Sequence, residues 1–379
     1  MRIQEICSSI TDGSHNPPQG VTDSEYLMLS SKNIFDNNIT FVDPRYLRKE
    51  DFEIEDRRTN IQAGDVLLTI VGTVGRCAVV PERAPKFTLQ RSVAVLHPRE
   101  DICSSRFLMY ALQGKRSYIE GRAKGVAQKG IYLGEVANIE VPIPDKSTQT
   151  TIILRLDKIA SIIQNRQQQL SALDDLIKAR FVEMFGDPVA NTLEWKTALL
   201  REVTSKIGSG ATPRGGKESY QAEGITLIRS MNVHDGRFEY KDLAHITDEQ
   251  AAQLDNVSVE EGDVFINITG ASVARSCIVP KDTLPARVNQ HVAIIRCVRN
   301  LLNPTFANNM FLNDRFKEQL LDIGESGGAT RQAITKQQLE GLTVILPPMN
   351  QQEEFASFVS QVDKSKSAIQ RPLIRQSSW

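Results

Sequence analysis

The sequence predicts an α+β protein: two tandem copies of one domain with mixed and antiparallel strands, separated by two long helices that form an antiparallel coiled coil about a pseudo-twofold. Three observations carry this reading. A motif returns at a domain-sized offset, short β-branched runs sit between Gly and Pro, and a heptad-patterned stretch follows a proline at the end of each copy.

The repeat comes first. Gly64-Asp65-Val66-Leu67 reappears as Gly262-Asp263-Val264-Phe265, 198 residues later. That spacing exceeds any solenoid or propeller unit, so the copied unit is a whole domain. The correspondence extends along both copies. Ile10-Thr11-Asp12-Gly13-Ser14 matches Ile207-Gly208-Ser209-Gly210-Ala211, and Leu29 to Ile34 matches Ile228 to Val233. Arg76 to Pro81 matches Arg275 to Pro280, Leu89 to Val95 matches Val288 to Ile294, and Gln128 to Ile131 matches Arg331 to Ile334. Strands are expected at 65–71, 77–80 and 93–96, and short helices at 105–113 and 305–312. Apolar matches such as Val66/Val264 are core. Polar positions that differ, among them Ser30/Arg229, Arg91/Gln290 and Ser92/His291, suggest one scaffold with two contact sets.

The helices follow. Domain boundaries are read as 1–145, 146–187 for the first long helix, 188–346, 347–371 for a shorter second helix, and a tail at 372–379. Helix one is expected to start with Ser147 as N-cap and to stop at Phe185, where Gly186 suits a left-handed cap. Leu156, Ile163, Leu170, Ile177 and Met184 form one heptad column; Ile152, Ile159 and Leu173 form the other, interrupted by Arg166 and Arg180. Helix two is expected to begin with Asn350 and Glu353 as a capping box. Its stripe is Phe355, Val359, Val362 and Ile369, with Lys366 in the seam. Pro372 should end it.

Composition bounds the class. The chain has 379 residues, is 40% hydrophobic and 24% charged, and contains no apolar run long enough to span a membrane. Its five cysteines form no Cys-x-x-Cys pair and the first residues lack a signal-peptide core, which together suggest a cytoplasmic protein. Net charge is −1, yet residues 106–129 hold six Arg and Lys against Glu120 alone. A solvated face accounts for that stretch as well as a nucleic-acid footprint does. Catalytic patterns are lacking: no zinc-type histidine spacing, no Walker A sequence and no dinucleotide-binding glycine motif. Asn16-Pro17-Pro18-Gln19 is similar to the Asn-Pro-Pro-aromatic motif of amino-methyltransferases, but Gln19 replaces the aromatic residue.

The duplicated Gly-Asp strand, the Pro-x-Pro and Pro-Pro ends leading into heptad helices, and Phe181-Val182-Glu183-Met184-Phe185-Gly186-Asp187 between the copies form a combination. It resembles the specificity subunit of type I restriction–modification enzymes over about residues 1–370. The resemblance implies a non-catalytic chain in which each copy is a target-recognition domain. Each would read one half of a bipartite, asymmetric site on double-stranded DNA. The coiled coil would set the spacer and dock two methyltransferase (modification) subunits, with restriction motor-nuclease subunits joining. S-adenosylmethionine, ATP and Mg are then expected on those partners, none on this chain, with no catalytic residue, metal or membrane partner. Base reading calls for Arg, Lys, Asn, Gln and small polar side chains. The candidates in the first copy are Ser14, His15, Lys32, Asn33, Arg76, Arg91, Lys124, Gln128 and Lys129. In the second they are Thr212, Arg214, Arg229, Asn232, Arg275, Gln290, His291, Arg331 and Gln332, with Gly327–Gln332 a candidate phosphate nest or a plain loop. A competing reading is a coiled-coil protein–protein scaffold with two binding modules and no DNA recognition.

Overall fold

The computed structural model describes residues 1–125, 129–213, 215–325 and 332–376, so Gln128, Arg214, Arg331 and the glycine-rich stretch up to it lie outside the described residues. The chain divides into two compact units, Met1–Gln164 and Asn165–Trp379.

In the first unit the strands of the two larger sheets are β1 (Cys7–Asp12), β2 (Tyr26–Leu29), β3 (Arg45–Leu47), β4 (Val66–Thr69), β5 (Cys77–Val79), β6 (Phe87–Leu89) and β7 (Val93–Pro98), and the two longer helices before residue 146 are α1 (Lys49–Thr59) and α2 (Ser105–Gly114). Four strands form an antiparallel sheet in the order β1-β7-β4-β5; a second sheet is β3-β2-β6. In that second sheet β2 runs parallel to β6 and antiparallel to β3. All four residues of β4 are buried. Alternation explains it: Val66 and Leu68 face the core that contains Phe107 and Leu108, whereas Leu67 faces the core of Leu27, Leu29 and Phe87. A strand covered on both faces reads as a continuous apolar run.

Helix α3 (Lys146–Phe185) is 40 residues long and leads into the second unit. There the strands of the two larger sheets are β8 (Thr204–Ser209), β9 (Ile225–Ile228), β10 (Ala244–Ile246), β11 (Val264–Asn267), β12 (Ser276–Ile278), β13 (Ala286–Val288) and β14 (Val292–Cys297), and helices α4 (Pro304–Leu312) and α5 (Met349–Gln376) come later in the chain. The sheets repeat the first unit strand for strand, β8-β14-β11-β12 and β10-β9-β13. Register repeats too: Asp12 faces Ala94 and Val66 faces Val79, as Ser209 faces Ala293 and Val264 faces Ile278.

The Gly-Asp motif is structural. Gly64 and Gly262 have φ of 90° and 89°, in the region that favours glycine. Buried Asp65 accepts the Gln62 N–H at 2.6 Å through one oxygen and meets His97 Nδ1 at 2.7 Å through the other. Asp263 does the same with the Glu260 N–H at 2.8 Å and Arg296 Nε at 2.8 Å.

One glutamine docks each long helix. Gln149 is fully buried; its amide donates to the carbonyls of Ile102 and Pro144 at 2.9 Å each and accepts the Ser104 N–H at 2.9 Å. Gln352 makes the equivalent bonds to Leu301 (3.3 Å) and Pro347 (2.8 Å) and accepts the Asn303 N–H at 2.9 Å.

Several details differ from the sequence reading. Asp145, not Ser147, caps α3: it accepts the Thr148 N–H at 2.9 Å and the Ser147 and Thr148 hydroxyls. Those bonds, Ser147 first, hold its carboxyl at a pKa of about 2. Helix α5 starts at Met349, so Asn350 already lies within its first turn rather than capping it. Pro372 does not stop α5, which continues to Gln376. Proline's fixed φ is itself helical and forfeits one N–H bond, a loss that an established helix can absorb.

The predicted end of α3 at Phe185 holds, with Gly186 at φ 70° and no room for a side chain beside Thr192 and Leu193. Within the second unit, α3 and α5 pair antiparallel. Arg180 meets Glu354 at 3.0 Å, Asp174 meets Lys366, and Arg166 Nη1 donates to the Ile369 carbonyl at 3.2 Å. The seam cations are thus the ties between the helices. Ile177, Phe355, Val359 and Val362 are buried there, and Leu173 and Met184 pack beside them. Leu170 and Ile369 are half-buried. In the first unit Ile152 packs on the domain core instead, because Gln149 seats that end of the helix against the domain. Leu156 and Ile163 are half-buried and Ile159 is exposed. Phe181 and Phe185, outside both predicted columns, each pack against both Phe306 and Phe355 and against one another, with ring centroids 4.8–5.6 Å apart.

Candidate nucleic-acid interface

Most of the polar candidates in each copy gather at one end of the four-stranded sheet. In the first domain, backbone bonds tie the contributing loops together. Ser14 N–H donates to Leu89 (2.7 Å), Arg91 N–H to Ser14 (2.9 Å) and Gln90 N–H to Leu29 (2.9 Å). Ile70 N–H donates to Ser92, Gly72 N–H to Lys129 and Lys124 N–H to Gly130. Ser31 N–H donates to the Ser92 hydroxyl at 3.1 Å. The result places His15, Lys32, Arg76, Arg91, Lys124 and Lys129 around one surface. All but half-buried Arg76 are exposed.

The second domain repeats three of these ties and adds one from Gly210. Gly210 N–H donates to Asn289, Asn289 N–H to Ile228, Ile268 N–H to His291 and Gly270 N–H to Gln332. Thr212, Arg275, Gln290, His291 and Gln332 are thereby brought together. Gly13 and Gly210 have to be glycine here, since a Cβ would lie 2.0 Å from the Leu89 carbonyl oxygen and 1.7 Å from that of Val288.

Side-chain partners sort these candidates. Asn33 and Asn232 are buried, and their carbonyl oxygens accept the N–H of Ser30 and Arg229 at 3.1 Å each. Their amide groups donate to the carbonyls of Val42 and Glu239. They shape the loop and are not contact residues, a correction to the sequence reading. Ser14 is also buried, so its part is played through its backbone. Arg229 lies over the Tyr220 ring at 5.4 Å and donates to the Asp242 carbonyl, which ties it back to its own domain. Lys32 pairs with Asp43 at 2.5 Å, and this bond holds the Asp43 carboxyl below its ordinary range. Arg76 rests on Phe35 at 5.0 Å; at the matching place Arg275 reaches His234 at 3.5 Å.

Two features escaped the sequence reading. Arg58, from α1, shares buried Asp12 with His15, which lies 2.9 Å from that carboxylate, and so adds a cation to the rim. Thr269 hydrogen-bonds His291 Nδ1. Position in the repeat could have found Thr269, next to the Gly270 that matches Gly72; Arg58 sits on a helix with no counterpart motif. Away from these surfaces, burial pushes the thiols of Cys7, Cys277 and Cys297 up to about 12.

A family model described as the type I restriction modification DNA specificity domain matches residues 23–173 and again residues 192–376. The chain belongs to that family. The two matches fall on the two copies and their helices, so this specificity-domain protein carries the family unit twice. It is similar to the type I restriction enzyme EcoBI specificity subunit of Escherichia coli, 21% identical over 309 residues; the match takes in 75% of this chain and 64% of that one. It therefore spans just under two thirds of that relative. Among solved structures, the S subunit of a type I restriction–modification system from M. genitalium matches with a TM-score of 0.55 at 13% identity, over 100% of this chain and 92% of the other. A chain from a study of assembly and conformational transition of the type I system matches with a TM-score of 0.51 at 16% identity, over 100% and 93%. At these identities the two structures speak for the fold. Among the described residues no helix is long and apolar enough to cross a membrane.

Proposed function

We propose that the protein is the non-catalytic specificity subunit of a cytoplasmic type I restriction–modification enzyme, and that each domain reads one half of a bipartite, asymmetric site on duplex DNA. The observation that carries this is the matched pair of polar surfaces. The same loops, sharing the backbone bonds of Gln90 and Asn289 to Leu29 and Ile228 and of Ile70 and Ile268 to Ser92 and His291, present Arg91 and Ser92 in one domain and Gln290 and His291 in the other. One scaffold with two sets of hydrogen-bonding side chains is what two different half-sites require. Exposed Lys129 suits a phosphate, as do Lys32 and Lys124 once they leave Asp43 and Glu135, and such contacts set register without reading sequence. The paired long helices would serve as spacer and as the seat of two modification subunits, with motor-nuclease subunits completing the enzyme; S-adenosylmethionine, ATP and Mg would be bound by those partners.

A scaffold for protein partners is less well supported, because cations and amides outnumber exposed aromatics such as Phe35 on these surfaces. The test is binding by the chain assembled with its modification partner. Affinity for duplex DNA should fall steeply with salt, roughly a thousandfold from 50 to 200 mM for about six phosphate contacts. No binding to any DNA pool at low salt contradicts the proposal.

A further inference from the structure

One turn is built alike in both domains and carries different chemistry in each. Gln90-Arg91-Ser92 joins β6 to β7, crossing from the three-stranded sheet to the four-stranded one; Asn289-Gln290-His291 does so between β13 and β14. Both turns close by the same bond, Val93 N–H to the Gln90 carbonyl at 3.1 Å and Val292 N–H to the Asn289 carbonyl at 3.3 Å. Arg91 and Gln290 therefore occupy one backbone station, and both are exposed at the polar end of their sheet.

In the second domain the Gln290 amide is gripped at both ends. The Thr212 hydroxyl donates to Oε1, and Nε2 lies 3.2 Å from His291 Nε2. The imidazole is itself fixed, by the Thr269 hydroxyl at Nδ1, while the His291 N–H donates to Asn289 Oδ1 at 3.1 Å. Exchanging the amide oxygen and nitrogen leaves the same two neighbours, each able to act as donor or acceptor, so the grip does not depend on that assignment. An amide held this way keeps one N–H and one lone pair unspent. Those two groups match the N7 acceptor and N6 donor on the major-groove edge of adenine. At the equivalent station the Arg91 guanidinium has no side-chain partner among the described residues, and its fork matches O6 and N7 of guanine. Rival cations are less suited to base edges: Arg229 is tied back, and a lysine binds as a point charge.

We propose that this turn is the base-reading station of both domains, with Gln290 selecting adenine in one half-site and Arg91 selecting guanine in the other. Thr212 and His291 act as positioning residues for the amide. The inference rests on the reading of the protein as a DNA-recognition subunit.

The test selects duplexes from a randomised pool with the full chain assembled with its modification partner, comparing wild type, Gln290→Arg, Arg91→Gln and His291→Ala. Gln290→Arg should change a single position of a single half-site from adenine to guanine, and Arg91→Gln should make the reverse change in the other half. The discrimination lost at each position should be about 5- to 150-fold. His291→Ala should weaken the adenine preference while leaving the salt-dependent, non-specific affinity in place. A complex that binds and selects a motif, yet keeps that motif unchanged in both turn variants with unaltered melting behaviour, overturns the inference alone. A wild-type complex that selects no sequence overturns both the inference and the function on which it rests.

Discussion

The surroundings of His97 favour its charged form. Its Nδ1 meets the Asp65 carboxylate at 2.7 Å and its Nε2 meets the Thr59 carbonyl at 3.1 Å, two acceptors that a ring protonated on both nitrogens satisfies together. The bond to Asp65 above all raises its pKa from the ordinary histidine value. A raised pKa in the folded state means that the proton is held more tightly there than in the unfolded chain. The stabilisation is complete below about pH 6.5 and is lost as pH climbs through the folded value. The second domain has Arg296 at this place and stays charged throughout. Unfolding of the first domain should therefore become easier from mildly acidic to mildly alkaline pH, and His97→Arg should flatten the dependence. Melting curves across that range check it; a wild-type profile as flat as the variant's contradicts it. The aspartates were visible in the sequence because they repeat, but their partners were not, since His97 and Arg296 share a charge and not a residue type. Gln149 and Gln352 were missed for a related reason: a glutamine near a helix start reads as surface. The signal was there in the shared spacing of five residues from Pro144 and Pro347.

At the scale of elements, strands and helix ends were legible wherever apolar alternation met a Gly or Pro. The strands at 66–69, 77–79 and 93–98 and the helices at 105–114 and 304–312 stand where the pattern put them. The heptad beat found the antiparallel seam, but periodicity cannot say which turns a domain will claim for its own core; Ile152 went to the first domain. Nor did it find the aromatic hub, whose i, i+4 pair Phe181 and Phe185 lies off the predicted columns. The candidate surface was legible as residue types and opaque as burial, which is why Asn33 and Asn232 were misread. Energetics of the pairing should follow the rings rather than the charges. Phe355→Ala removes a fully buried ring that touches Phe181 and Phe185 and should cost about 3–5 kcal/mol. Glu354→Ala breaks an exposed ion pair with Arg180 and should cost far less than that. Denaturant unfolding of the two variants separates the terms; equal losses would contradict the primacy of the hub.

At the scale of the whole molecule, duplication is the governing fact. Two domains share sheet order, register, a Gly-Asp turn and a glutamine-docked helix, and differ in the side chains at one polar end. A scaffold retained twice with its exposed polar residues changed fits the proposal of two related but unequal targets. The most direct test is to map methylated bases across a host genome with and without this gene, its partner genes kept. The account predicts a motif of two dissimilar half-sites separated by a gap of constant length, methylated only when the gene is present. A single uninterrupted motif, or a methylation pattern indifferent to the gene, contradicts it.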